Sequence, residues 1–70
     1  KPVLQVPVGV DVILREGNGQ SFLCIMNTLP ETVSVDLKAY HGTDLLTGQY
    51  LKSHESIEPY GVRILEMNTQ

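Results

Sequence analysis

Eight carboxylates and two histidines are the side chains of this 70-residue chain that could move protons or hold a metal. An acid and base pair that cleaves a glycosidic bond needs two carboxyl groups about 5 to 9.5 Å apart across a cleft. Here Asp11, Asp36 and Glu66 alternate with apolar neighbours as strand residues do, while Glu16, Glu31, Asp44, Glu55 and Glu58 fall in turns and loops. That scatter reads as a solvated surface. His54, Glu55 and Glu58 come nearest to a metal cluster, with His41 and Asp44 a shorter pair, and neither group offers three ligands at a recognised spacing. No catalytic residue, metal ligand or cofactor is assigned, because the nucleophile elbow, phosphate loop and dinucleotide fingerprint are all missing.

The single cysteine, Cys24, cannot close an internal bridge, and in the middle of an apolar run it reads as a small core hydrophobe. An unpaired thiol favours a reducing compartment. With no Trp in the chain, Tyr40 and Tyr50 are the candidates for weak sugar contact, a shallow platform flanking residues 43–48; ordinary half-buried tyrosines are the plainer reading. Tyr60 reads as a corner residue whose hydroxyl bonds to backbone. Five basic residues against eight acidic ones give a net charge of −3 with no Lys/Arg cluster, which argues against nucleic acid as a partner. The apolar run of five residues, Phe22 to Met26, is far short of the roughly 18 to 20 a membrane-spanning helix needs, so no membrane partner is expected.

Strands must position whatever these residues do. No stretch of ten residues keeps apolar positions at helical spacing without a Gly or Pro, so the chain reads as all-β. Val10 to Arg15 alternates, and Asn18-Gly19 offers the positive φ angles of a type I′ turn into the strand Ser21 to Asn27. Thr32 to Leu37 alternates most cleanly, with Val33, Val35 and Leu37 inward. Asp44 to Gly48 reads as a short strand entering a turn, Gln49 to Leu51 as its return, Lys52 to Ser56 as a polar loop, and Val62 to Glu66 as the last strand. Six or seven short strands with frequent turns predict a small antiparallel, Greek-key-like β-sandwich over residues 9–66, preceded by a connector or edge segment at 1–8 and followed by a tail at 67–70. Its expected core is Val12, Leu14, Leu23, Ile25, Val33, Val35, Leu37, Ile57 and Val62.

A two-layer sandwich needs one apolar face per strand, yet Ser21 to Asn27 has two. Under the Asn18-Gly19 register, Ile13, Phe22, Cys24 and Met26 share the outer face, Leu65 joins them if the last strand pairs beside the first, and Asp11, Arg15 and Arg63 rim the patch. This is the expected docking face. The competing expectation is that residues 1–9 or 52–56 fold over it.

Taken together, Gly9-Val-Asp-Val12 with Arg15 and Gly17, Phe22-Leu-Cys-Ile-Met-Asn27, Thr32-Val33, Asp44-Leu-Leu-Thr-Gly48 and Ile57-Glu-Pro-Tyr-Gly-Val62 resemble the C-terminal β domain of family 42 glycoside hydrolases, the bacterial β-galactosidases. The likeness runs over residues 5 to 66. Similar endings occur in the C-terminal sandwiches of α-amylase-type glycosidases, the second candidate parent; a stand-alone carbohydrate-binding module is the alternative of another class. The resemblance implies a retaining enzyme whose catalytic glutamates lie in a preceding TIM barrel, in a cytoplasmic, bacterial parent that can be a homo-oligomer. The residues matched are turn and core residues, so the resemblance transfers no catalytic role to any of them. It implies a non-catalytic accessory domain that stabilises or assembles the parent.

Overall fold

The computed structural model describes residues 4–68. Strands β1 (Val10–Gly17) and β2 (Gln20–Asn27) form a hairpin closed by Asn18-Gly19, both at positive φ (53° and 76°). Two positive φ angles in succession give the turn the twist of its strands. The register follows from the two-residue loop: Leu14 stands opposite Leu23, Val12 opposite Ile25 and Ile13 opposite Cys24.

Strand β7 (Val62–Asn68) lies on the other side of β2, followed by β4 (Gly42–Asp44) and β5 (Tyr50–Leu51), giving a five-stranded antiparallel sheet ordered β1-β2-β7-β4-β5. Strands β3 (Val33–Asp36) and β6 (His54–Ile57) pair in a second, two-stranded sheet. The chain is thus the expected all-β sandwich, and no helix occurs among the described residues. Between the layers, Leu23, Ile25 and Leu65 from the large sheet meet Val33, Val35 and Ile57 from the small one, with Leu37 beside them. Burying each such side chain is worth about 1.5 to 3 kcal/mol. Leu4 and Val6 of the connector also turn inward, Leu4 into the buried core and Val6 against it.

Four expectations about the elements are corrected. Residues 54–57 are a strand rather than loop, because β3 supplies a hydrogen-bonding edge and Ile57 an inward anchor opposite Val33. Asp44 ends a strand instead of beginning one, and the following residues form the turn. The last strand continues past Glu66 to Asn68. Val12 and Leu14 are only partly buried at the margin of the core, and Val62, paired with Met26, faces away from it. Of the proposed connector and tail, residues 1–3 and 69–70 lie outside the described ones.

Candidate functional site

Directly opposed residues in a sheet share a face, so the registers list the outer surface of the large sheet row by row. Ile13, Cys24 and Ile64 form the central row across β1, β2 and β7. Leu45 extends it, because its N–H donates to the Ile64 carbonyl at 2.8 Å. One row further on lie Asp11, Met26 and Val62; on the other side lie Arg15, Phe22, Glu66, Thr43 and Tyr50. Seven apolar side chains therefore make a continuous stripe with charge at its corners. Ile13 and Leu45 are 42% and 51% exposed, and Phe22, Cys24, Met26, Val62 and Ile64 are half-buried.

Leu65 does not belong to this face. The last strand pairs with β2, not β1, and sets Leu23 opposite Leu65 and Cys24 opposite Ile64, so the parity of β7 is inverted and Leu65 is fully buried in the core. Arg63 moves with it, from the expected rim to the inner side. The sequence alone left this open because Val62, Ile64, Leu65 and Met67 put apolar residues on both parities of the strand. Of the two segments expected to fold over the patch, Leu4 and Val6 pack on the core and residues 54–57 belong to the opposite sheet, while residues 1–3 lie outside the described ones.

Each polar cluster that suggested chemistry has a structural partner. Arg63, on the inner side of β7, donates from Nε to Glu55 at 2.8 Å and from Nη2 to Glu58 at 2.8 Å and the Ser56 carbonyl at 3.1 Å. The bond from Arg63 holds the Glu58 carboxyl below its ordinary range, and the same contact with Glu58, then Glu55, raises the guanidinium. The ion pairs join the two sheets, and they explain how β6 tolerates a glutamate beside Ile57. Asp44 is buried and accepts from Leu46 N and Ile64 N, both at 3.2 Å, and from Thr47 Oγ1 at 3.1 Å, which locks the Asp-Leu-Leu-Thr-Gly turn onto β7. His54 lies 3.8 Å from Asp36, and His41 bonds the Tyr50 hydroxyl. Among the described residues no three His, Cys, Asp or Glu side chains gather as a metal site.

Tyr40 and Tyr50 both line an open cavity of about 440 Å³, with His41, Glu16, Glu66 and the orphaned hydroxyl of Ser21. The two rings differ in setting. Tyr40 packs against the core, whereas Tyr50 is exposed and its ring is tilted at 50° to His41, centroids 5.8 Å apart.

Comparison with known proteins agrees with this architecture over nearly the whole chain. The profile of the β-galactosidase C-terminal domain matches residues 9–67. β-Galactosidase Pbg of Clostridium perfringens is 34% identical over 62 residues, 89% of this chain and 9% of its own length. BgaP of Planococcus sp. is 37% identical over 65 residues, 93% of this chain and 10% of its own. The crystal structure of a β-galactosidase from Bacillus circulans sp. alkalophilus superposes with a TM-score of 0.86 at 42% identity, over 94% of this chain and 10% of that one. Gan42B from G. stearothermophilus, a GH42 β-galactosidase, superposes at 0.81 and 30% identity, over 97% of this chain and 10% of that one. The chain thus spans about a tenth of the length of these relatives. It belongs to the family of β-galactosidase C-terminal domains of glycoside hydrolase family 42, and not to the α-amylase-type endings that resemble it.

Proposed function

We propose that the domain is a non-catalytic accessory unit that packs its outer sheet face onto the preceding catalytic domain of a β-galactosidase, and so stabilises or helps assemble the enzyme. The observation that carries this reading is the apolar stripe Ile13, Cys24, Ile64 and Leu45 with Phe22, Met26 and Val62, which no element among the described residues covers, in a chain that spans one-tenth the length of its relatives. An apolar centre with charged margins is the composition of an interface. The parent in this reading is a retaining hydrolase of terminal β-galactosides with its two glutamates in a TIM barrel, cytoplasmic in keeping with the free Cys24 thiol, and a homo-oligomer.

The test is Ile13→Asp, compared in the 70-residue chain and in the full-length enzyme. A charge on the open face leaves the former folded and loosens the terminal domain of the latter, seen as earlier melting and faster proteolytic release. Equal loss of stability in both contexts identifies Ile13 as ordinary packing and removes the docking face. The 70-residue chain itself releases no nitrophenol from a nitrophenyl β-galactoside; activity surviving repurification overturns the non-catalytic reading.

A further inference from the structure

The corner between β6 and β7 holds a feature that the domain's own packing does not use. Tyr60 lies in Pro59-Tyr60-Gly61 with φ 59°, in the left-handed region that costs any side chain with a Cβ, and the residue is 67% exposed. A non-glycine residue stays there only when its surroundings over-determine it. They do so here. The buried Asn27 amide donates to the carbonyls of Glu31 at 2.8 Å, Ile57 at 3.2 Å and Glu58 at 3.0 Å, and its Oδ1 accepts from Leu29 N at 3.0 Å. Asn27 N donates to the Gly61 carbonyl at 2.9 Å, Gly61 N to Glu58 at 2.9 Å, and Tyr60 N to Leu29 at 3.3 Å. The Tyr60 hydroxyl, expected to bond to backbone, has no such partner among the described residues; the corner is closed by Asn27 instead. At such a position Asn or Gly costs less, and Tyr60 is not among the described residues that form the core or pack against it.

The same end of the sandwich receives the incoming chain. Thr28 N donates to the Gly9 carbonyl at 2.8 Å. Gly9, at φ 100°, lies so close to Leu29 that a Cβ there would come within 2.5 Å of the Leu29 side chain. Val8, immediately before it, is 97% exposed. Val8, Leu29 and Tyr60 are therefore linked through Gly9 and the Leu29 carbonyl. Tyr60 is also two residues from Val62, where the Met26 and Val62 row closes the open sheet face.

We infer that Tyr60, with Val8 beside the entering chain, is an anchor that inserts into the preceding domain of the same polypeptide. The described part of the connector reaches the sandwich at this end through Gly9, and an exposed aromatic in a rigid corner is the residue type that dominates interface energetics. The inference rests on the accessory reading above and adds a second, separately testable contact. The discriminating variant is Tyr60→Asn, with Tyr60→Phe as control. In the 70-residue chain, Tyr60→Asn leaves the melting temperature unchanged or raises it by a few degrees, because left-handed strain is relieved. In the full-length enzyme the same change lowers the melting temperature of the terminal domain and speeds its release by protease, while Tyr60→Phe preserves both. Tetranitromethane modifies Tyr60 in the 70-residue chain and spares it in the intact enzyme. These full-length measurements decide the matter even where the short chain folds poorly. Loss of stability in the short chain, or no change in the full-length one, overturns the inference. So does concentration-dependent dimerisation of the short chain that Tyr60→Asn abolishes, which makes a second copy the occupant. A loosened domain with Ile13→Asp but not with Tyr60→Asn removes the anchor and leaves the sheet face standing; the converse removes the sheet face and keeps the anchor.

Discussion

The two faces of the five-stranded sheet are built from the same strands, and in β2 from adjacent residues, yet they have different fates. Leu23 and Ile25 face inward, where Leu65 and the small sheet seal them from water. Phe22, Cys24 and Met26 point the other way, with Ile64 and Ile13 beside them and no described element above. Hydrophobicity alone does not distinguish these faces. What distinguishes them is that β3 and β6 are only four residues each and can cover one side. In the reading proposed above, the apolar side that no described element covers is the side the preceding domain packs on.

The contrast between faces is broken most directly from inside. Leu23→Ala removes a fully buried side chain and is expected to cost about 2 to 5 kcal/mol, a large share of a small domain's stability. A denaturant melt showing a loss below about 0.5 kcal/mol would place Leu23 outside the core. Asn27→Ala comes next. It leaves the carbonyls of Glu31, Ile57 and Glu58 without their donor, and roughly 2 to 3 kcal/mol should be lost in the same measurement.

On the open face, Ile13→Asp in the 70-residue chain should fall within about 0.5 kcal/mol of wild type, the ordinary range for surface changes. A loss of core size by urea titration would mean that the two faces are equally sealed. The effect of acid is smaller and tests how the layers are held. Arg63 depresses the Glu58 carboxyl, so its contribution is present above the ordinary carboxylate value and is lost as pH falls through the lowered one. Melting temperature should drop more steeply below about pH 4 in wild type than in Glu58→Gln, followed by circular dichroism; parallel acid limbs would show that this pair contributes nothing. Least of all is expected at the cavity beside the open face. Galactose and lactose at millimolar concentration should leave the NMR signals of Tyr40 and Tyr50 in place, since Tyr40 packs against the core and Tyr50 alone is exposed. Saturable shifts at both would make the cavity a sugar site.

Period-2 alternation and the Asn18-Gly19 turn were enough to set β1 against β2 residue by residue, because a two-residue loop leaves a single register for the hairpin. The inward set Val33, Val35 and Leu37 was legible for the same reason: one parity is apolar and the other polar. Family membership was legible in Asp44-Leu-Leu-Thr-Gly48 and Pro59-Tyr60-Gly61, and the structure supplies the physical meaning of both, a carboxylate that locks a turn onto β7 and a corner closed around Asn27. Strand β6 was not legible. His54-Glu55-Ser56 has no apolar alternation and becomes a strand only because β3 pairs with it and Arg63 neutralises Glu55 within it and Glu58 just after it. Nor could the face of Leu65 be read from its neighbours. Both parities of β7 are apolar, so the choice fell to a long-range register with β2, and pairing between residues some forty positions apart leaves no local signature in the chain.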